Sequence, residues 1–199
     1  MTGAMKLQRI FWIGVCFLMI SPSIFAATYD VDVSHSQVHF SIKHLMVFKV
    51  RGTFQNFTGQ IDLDPKKGTL KSVKSTIDVQ SIDTGTAKRD DHLRSPDFFS
   101  VKEFPNIYFT SQKISGSKDN LSVQGELEIH GVKKTITLKG EFLGLGADPW
   151  GNERAGFEAS AVIDRRDFGL KWNKALETGG VVVGNEVKIQ LEIEAVRKK

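Results

Sequence analysis

The sequence predicts an all-β protein, and more narrowly a closed antiparallel barrel of about eight strands with one short helical insertion. Three observations carry this prediction. Apolar and polar residues alternate with a period of two along most of the chain, turn-forming residues separate the alternating runs, and a convincing helical pattern occurs once. Hairpins join consecutive runs, and no regular helix intervenes to cover a parallel sheet, so the expected sheet is antiparallel.

The alternating apolar positions define the predicted strands in order. Near Asn56 the parity switches, which predicts a β-bulge within one long strand. His130-Gly131 separates two short runs and predicts a tight hairpin turn. The main alternating residues are Val38, Phe40, Ile42, Val50, Phe54, Phe57, Ile61, Leu63, Val73, Ile77, Val79, Ile107, Phe109, Leu121, Val123, Leu127, Ile129, Ile136, Leu138, Phe157, Ile163, Val187, Ile189, Leu191 and Ile193.

Such a sheet has an apolar face that must be buried. Leaving that face in water would cost on the order of 25 cal/mol per Å² of apolar surface, and helical segments are too few to cover it. Closing the sheet on itself buries the face and removes the exposed edges. A barrel of this size either fills its lumen with side chains or leaves room for one ligand. Since the inward residues are apolar, any such ligand must be apolar too.

Strand parity selects the residues that face the lumen and line a ligand site. His44 has the parity of its apolar neighbours, and we interpret it first as a hydrogen-bonded structural histidine and second as a ligand contact. The predicted lumen residues are Val38, Phe40, Ile42, His44, Phe54, Phe57, Ile77, Val79, Phe109, Leu127, Ile129, Leu138, Phe157, Ile163, Ile189 and Leu191.

The helical insertion is predicted from Thr86 to about Phe104. Thr84 or Thr86 provides an N-cap, and Asp90 with Arg94 forms an opposite-charge pair four residues apart. Ser95-Pro96-Asp97 then starts a second short turn, and Pro105 ends the helical region.

A charged cluster within this insertion admits two interpretations. Arg89, Asp90, His92, Arg94 and Asp97 could supply a general acid, a general base and an anion-binding group. Against catalysis, no nucleophile motif is present, and the adjacent Asp90 and Asp91 side chains diverge. Alternating charges on a short helix are typical of a salt-bridged lid. We therefore predict no catalytic residues and a structural clasp, in which Phe98 docks the helix on the barrel, with recognition of a polar head group as a further role for arginine.

The sequence predicts no metal site and no cofactor. His35 and His39 are four residues apart, but in a strand this spacing separates them by about 13 Å, at roughly 3.3 Å per residue. One ion cannot bridge that distance, and no other His, Cys or carboxylate set has ligand spacing.

The N-terminus has the pattern of a secretory signal peptide, predicted as residues 1–26. Lys6 and Arg9 precede an apolar run that is shorter than the roughly 20 residues needed to span a bilayer, and a small-residue site follows. Cleavage is expected after Ala26 or Ala27, and Met5 is an alternative start. Residues 27–199 then form a single domain without the one cysteine, Cys16, and without a membrane span.

The charge of the mature chain argues against nucleic-acid binding. Removing Lys6 and Arg9 lowers the formal net charge of +4 by two, and no basic stripe with interleaved aromatic residues occurs.

Several motifs together resemble the YceI-like family of periplasmic, polyisoprenoid-binding, extended-lipocalin proteins, and the resemblance covers essentially the whole mature chain. The most specific motif is Arg89-Asp90-x-His92-Leu93-Arg94-Ser95-x-Asp97-Phe98. The others are His35-Ser36 with Val38, Phe40 and His44-Leu45; Arg51-Gly52-Thr53-Phe54 with Gly59; Phe104-Pro105; Phe109-Thr110-Ser111; Gly125-x-Leu127-x-Ile129-x-Gly131-Val132; Asp148-Pro149-Trp150-Gly151; and Arg154-Ala155-Gly156-Phe157.

The resemblance implies an eight-stranded, lipocalin-like barrel in the periplasm that holds a long isoprenoid chain and has no established enzymatic activity. We therefore favour a non-catalytic carrier or storage protein for a polyisoprenoid lipid, such as a quinone precursor or a prenyl phosphate. The competing hypothesis is an enzyme that acts on an isoprenoid head group through Arg89, Asp90 and His92. A third is a stress-induced structural protein whose lipid is incidental. Whether the protein is a monomer or a homodimer is left open.

Overall fold

A computed structural model describes residues 26–177 and 179–199, and eleven strands of this part form one antiparallel sheet. The predicted signal segment lies outside the described residues except for Ala26, and so does Cys16. The strands are β1 (Ala27–Val31), β2 (Gln37–His44), β3 (Phe48–Phe54), β4 (Phe57–Asp64), β5 (Thr69–Asp78), β6 (Ile82–Asp83), β7 (Asn106–Ser117), β8 (Asn120–Ile129), β9 (Val132–Ala147), β10 (Glu153–Asp164) and β11 (Val183–Arg197). Helix α1 spans Ala87–Arg94, and 3₁₀ turns span Val33–His35, Val79–Ser81 and Arg165–Phe168.

The sheet closes on itself through β1. This strand pairs with β4 on one side and with the end of β11 on the other, which completes a ring of eight strands in the order β1-β4-β5-β7-β8-β9-β10-β11. Further along β11, β2 takes the place of β1, and β3 pairs with β2. The predicted eight-stranded antiparallel barrel is therefore confirmed, with two of its long strands each divided into two segments.

The division between β3 and β4 corrects the predicted β-bulge. The parity switch near Asn56 arises because the strand is interrupted at Gln55 and Asn56. Their N–H groups turn away and donate to the carbonyl oxygen and the hydroxyl of Ser81, at 3.2 and 2.9 Å. The pattern located the irregularity, but it could not distinguish one extra residue from a break whose hydrogen bonds go to a distant segment.

The hairpin predicted at His130-Gly131 is confirmed. β8 ends at Ile129 and β9 begins at Val132, so the loop has two residues, with φ of 53° and 72°. Positive φ at both central residues is the requirement of a type I′ turn, whose twist matches that of the flanking strands.

The helical insertion lies where predicted, and its regular helix covers only the first part. Helix α1 ends at Arg94 and does not reach Phe104, because Ser95 precedes a proline and adopts an extended ψ of 170°. The following turns are tied back to the helix end, since Phe98 N–H donates to Ser95 and Phe99 N–H donates to Leu93. Thr86 occupies the N-cap position, but its side chain makes no capping hydrogen bond.

One end of the barrel is filled by side chains. Tyr29, Leu63, Ala155 and Ala195 are fully buried there. The Tyr29 hydroxyl donates to the Glu153 carboxylate, and burial together with this carboxylate raises the pKa of the phenol well above its ordinary value. Unfilled space therefore lies toward the other end, where β2 meets β3.

Candidate functional site

An apolar cavity of about 390 Å³ occupies the lumen. It runs from Val31 and Ile61, next to the filled end, to His44 and Val183, where β2 pairs with β11. Its volume lies within the roughly 300–1,000 Å³ typical of ligand pockets. Lys43 lines the cavity and is also exposed, so the cavity reaches the surface at the end of β2.

The structure brings together all but two of the predicted lumen residues along this wall. Those that line the cavity are Val38, Phe40, Ile42, His44, Phe54, Phe57, Ile77, Phe109, Leu127, Ile129, Leu138, Ile163, Ile189 and Leu191. On β11, residues 187, 189, 191 and 193 are partly exposed to the cavity, and residues 188, 190 and 192 are exposed to solvent. Alternation along one strand therefore separates the lumen from the exterior.

Val79 and Phe157 do not line the cavity, which corrects two predictions. Val79 begins a 3₁₀ turn after β5 ends at Asp78, so strand parity does not apply to it. Phe157 follows a register shift in β10 and packs on Phe142, with ring centroids 5.0 Å apart. Both residues are buried in the protein core.

Other wall residues were missed by the sequence reasoning. Val31, Val50, Ile61, Val73, Ile107, Ile136, Val187 and Ile193 lie on strands, and a complete use of parity would have found most of them. Leu93, Phe99, Phe168, Leu170, Trp172 and Val182 come from the insertion and from the connection between β10 and β11, where no periodic pattern indicates their direction.

Within the insertion, the clasp residues divide between the cavity wall and structural contacts. Arg89, His92 and Phe98 line the cavity, whereas Asp90, Arg94 and Asp97 do not. Arg89 Nη2 donates to the Thr84 carbonyl at 2.7 Å, and Asp90 is buried and accepts from the Thr84 N–H at 3.0 Å and from the Thr84 hydroxyl. These bonds fix the segment that leads into α1.

Arg94 attaches the other end of α1 to the barrel. Its guanidinium donates to the carbonyls of Gln80 and Ile82, at 3.0 and 2.7 Å, on either side of the start of β6. Its ion pair is with Asp91 at 3.1 Å, so the predicted pair with Asp90 is wrong. Asp90 and Asp91 both lie within one helical turn of Arg94. Because Asp90 is buried against Thr84, Asp91 is the carboxylate that pairs with Arg94.

An aromatic cluster joins the insertion to the connection between β10 and β11. The His92 ring meets Phe98 and Trp172 edge-on, with centroids 5.0 and 4.9 Å away. Its Nε2 lies 2.8 Å from Asp97. This geometry fixes the histidine ring at the cavity wall.

Arg165 is a wall residue that the sequence gave no reason to select. It is 3% exposed, and its guanidinium donates to the carbonyls of Gly184 and Trp172, at 2.8 and 2.9 Å, and to that of Leu170. No carboxylate of the described residues forms a salt bridge with it, and burial lowers the pKa of its guanidinium. A buried cation of this kind attracts a negatively charged group.

A charged cluster at the filled end contains the one carboxylate–histidine set in the described residues with metal-ligand proximity. Single ligand atoms of Asp32, His35 and Glu194 lie within 4.8 Å of one another. The sequence reasoning missed this set because Glu194 comes from the last strand. Arg154 lies among these groups, with Nη1 2.8 Å from Asp32 and bonded to Glu194. Since a guanidinium already pairs with both carboxylates, the arrangement favours an ion-pair cluster. His39 lies elsewhere, on β2, where its ring is hydrogen-bonded to Gln37.

Within the described residues, no helix is long and apolar enough to cross a membrane.

Comparison with known proteins identifies relatives over most of the chain. Residues 29–195 match the model of the YceI-like domain. A UPF0312 protein of Pseudomonas paraeruginosa is 39% identical over 175 residues, which is 87% of this chain and 88% of the relative. Protein YceI of Salmonella newport is 38% identical over 184 residues, or 92% and 93% of the two chains.

Solved structures share the barrel. BcnA of Burkholderia cenocepacia superposes with a TM-score of 0.72 at 28% identity, covering 83% of this chain and 99% of that one. A polyisoprenoid binding domain from Saccharophagus degradans gives a TM-score of 0.66 at 16% identity, over 86% and 99%, and this match concerns the fold alone. With a family model that spans most of the chain and relatives near 38% identity, the protein belongs to the YceI-like family.

Proposed function

We propose that the protein holds the chain of a polyisoprenoid lipid in its lumen, as a non-catalytic carrier or storage protein that works in the periplasm after removal of residues 1–26. The observation that carries the proposal is the apolar cavity, which runs from the filled end of the barrel to the surface near Lys43. An apolar chain in this cavity would gain on the order of 25 cal/mol per Å² of surface removed from water. The Saccharophagus domain that shares this fold is named as polyisoprenoid binding, which supports the same ligand class here.

The charges on the cavity wall favour an anionic head group, and so a prenyl phosphate over a quinone precursor. Arg89 and Arg165 line the cavity together with His44 and His92, and no described aspartate or glutamate lines it. Arg165 lies next to the open end, since it bonds to Gly184, whose backbone packs on Lys43. A phosphate there would compensate a buried charge whose hydrogen-bond partners in the described residues are backbone carbonyls.

Chemistry on the head group is a second candidate, favoured by Arg89 and His92 reaching the cavity wall. The bonds within the insertion support the carrier instead. Asp90 is buried against Thr84 and does not line the cavity, so the proposed acid–base partner of His92 faces away from a ligand. His92 is itself paired with Asp97.

The test is extraction of the purified protein with organic solvent, followed by mass spectrometry of the extract. We expect a prenyl-type lipid, and in exchange experiments a prenyl phosphate should bind roughly tenfold or more tightly than the uncharged prenol of equal length, as expected for hydrogen bonds to a charged group. Protein that carries no lipid and takes up neither compound would contradict the proposal. Conversion of the lipid during incubation would favour the enzyme.

A further inference from the structure

Four consecutive apolar residues at the β2–β3 turn are exposed. Leu45, Met46, Val47 and Phe48, here called the apolar tip, have exposed fractions of 38, 50, 76 and 65%. Leu45 and Met46 also adopt left-handed backbone conformations, with φ of 50° and 61°. Such φ values are unfavourable for large L-residues, and contiguous exposed apolar residues mark interaction sites. The turn therefore presents apolar side chains to solvent in a costly conformation.

The surroundings of the apolar tip are basic. No aspartate or glutamate occurs between Asp32 and Asp62, whereas Lys43, Lys49 and Arg51 lie on the two strands of the hairpin and are exposed. None of these three cations forms a salt bridge with a described residue. The hairpin therefore combines an apolar end with three exposed cations that form no salt bridge within the described residues.

The neighbouring connection adds to this surface. Leu45 N–H donates to the Val182 carbonyl at 2.9 Å, and Met46 packs beside Gly180. The preceding residues carry two exposed lysines, Lys171 and Lys174, against one exposed carboxylate, Glu177. The positive character of the hairpin is thus maintained across the segment that contacts it.

This surface adjoins the end of the cavity. His44 and Val50, on either side of the apolar tip, line the cavity, as does Val182, which bonds to Leu45. A partner that contacts the apolar tip therefore lies directly beside the lumen.

We propose that the apolar tip and its flanking lysines dock the protein on the surface of a membrane that contains anionic phospholipid. Such a membrane offers both features that the hairpin matches, namely a negative surface for the cations and an apolar layer for the side chains. A second copy of the chain fits less well, because a two-fold contact through this hairpin would place two basic surfaces against each other. Membrane docking beside the cavity would let lipid pass from the membrane into the lumen, and this role rests on the proposed function. The docking itself does not.

The test is sedimentation of the purified chain with vesicles made of equal parts phosphatidylglycerol and phosphatidylcholine. We expect binding that weakens with salt and is much lower on phosphatidylcholine alone. Replacing Val47 and Phe48 by serine should weaken binding roughly tenfold or more, as expected from the loss of two apolar side chains. The Lys49→Glu, Arg51→Glu double variant should weaken it to a similar degree.

Trp150 provides a matched control. It is 80% exposed at the β9–β10 turn, near the filled end, so Trp150→Ala removes a large exposed apolar side chain elsewhere on the molecule. Trp150→Ala should bind vesicles like the unaltered protein. Circular dichroism and lipid content, measured on each variant, separate loss of docking from loss of folding or of lumen binding.

Three results would overturn the proposal: no binding of the unaltered protein to the anionic vesicles, equal binding by the serine variant, or a homodimer that the serine variant dissociates in place of vesicle binding. Vesicle binding by protein whose lumen takes up no prenyl lipid would leave the docking site in place and refute the proposed function alone.

Discussion

At the scale of single residues, the environment separates side chains that are equivalent in the sequence. Asp90 is buried and accepts hydrogen bonds from the N–H and hydroxyl of Thr84, whereas the adjacent Asp91 is exposed and pairs with Arg94. A buried acceptor with its donors is costly to remove, because the donors lose their partner, and an exposed ion pair contributes little.

We predict that Asp90→Ala destabilises the protein by about 1–3 kcal/mol, since it leaves the Thr84 N–H without its partner. The neighbouring Asp91→Ala should stay within about 0.5 kcal/mol of the unaltered protein. Denaturant unfolding of the three proteins measures the difference. Equal stabilities for Asp90→Ala and Asp91→Ala would show that the buried bonds to Thr84 do not hold the insertion.

The ion pairs of Arg154 make the stability of the fold depend on pH in the acid range. Hydrogen bonds from Ser34, and then from Arg154, lower the pKa of Asp32, and bonds from Asn152 and Arg154 lower the pKa of Asp148 to about 2. A carboxyl whose folded pKa is depressed stabilises the fold above its unfolded pKa of about 4, and this contribution is lost as the pH falls through the folded value.

The unfolding temperature should therefore fall as the pH decreases from about 4 toward 2. Arg154→Gln should lower the unfolding temperature near neutral pH and give a shallower fall in acid, because the pKa values of both carboxyls return toward their ordinary range. Thermal unfolding across this pH series provides the measurement. Parallel curves for the two proteins would mean that Arg154 does not hold these pKa values down.

At the scale of elements, α1 is attached to the barrel through a few polar contacts beside an apolar cavity. Arg94 donates to the carbonyls of Gln80 and Ile82, and His92 meets Trp172 across the connection between β10 and β11. The barrel strands are linked by long ladders of backbone hydrogen bonds. The insertion is therefore the element expected to open first, in line with the rule that local stability follows contact density.

We predict that Arg94→Ala increases hydrogen exchange in the insertion, residues 84–104, and leaves β8–β10 protected, since it removes the bonds that attach α1 to β6. Lys88→Ala is the control, because Lys88 lies on the same helix and is exposed. Exchange followed by mass spectrometry resolves the two regions. Unchanged protection of residues 84–104 would show that the aromatic contacts alone fix α1.

At the scale of the whole molecule, closure of the sheet and filling of one end leave a long space beside β2 and β11. Ile189 lines this space, and the next residue, Gln190, points outward. A larger side chain at position 189 therefore extends into the lumen, whereas a larger side chain at position 190 extends into solvent.

Ile189→Trp should therefore reduce the prenyl lipid recovered from the purified protein several-fold while changing stability by less than about 1.5 kcal/mol, since the added ring occupies empty volume. Gln190→Trp should retain the lipid. Mass spectrometry of the extracts and thermal unfolding measure the two effects. Equal lipid content in both variants would place the ligand outside the lumen.

The alternating residues explain how much of the site could be predicted. Phe40, Ile42, Ile189 and Leu191 were found because the period of a strand fixes which side of the sheet each faces. Strand parity misplaces Val79 because its strand ends one residue earlier, whereas Pro96 marks the end of helix α1 in the sequence. Arg165 could not be found, since two of its carbonyl partners, Leu170 and Trp172, belong to a connection without a periodic pattern, and a third, Gly184, comes from the next strand.

The sequence by itself determined the barrel, the tight hairpin at His130-Gly131 and the apolar character of the lumen, because these depend on local periodicity and on turn preferences at single positions. The tertiary structure decided where the chain is interrupted, which carboxylates pair with Arg94 and Arg154, which cations face the cavity, and that one end is filled while the apolar tip lies beside the other. These features depend on contacts between residues far apart in the chain, whose relative positions are fixed only when the barrel closes.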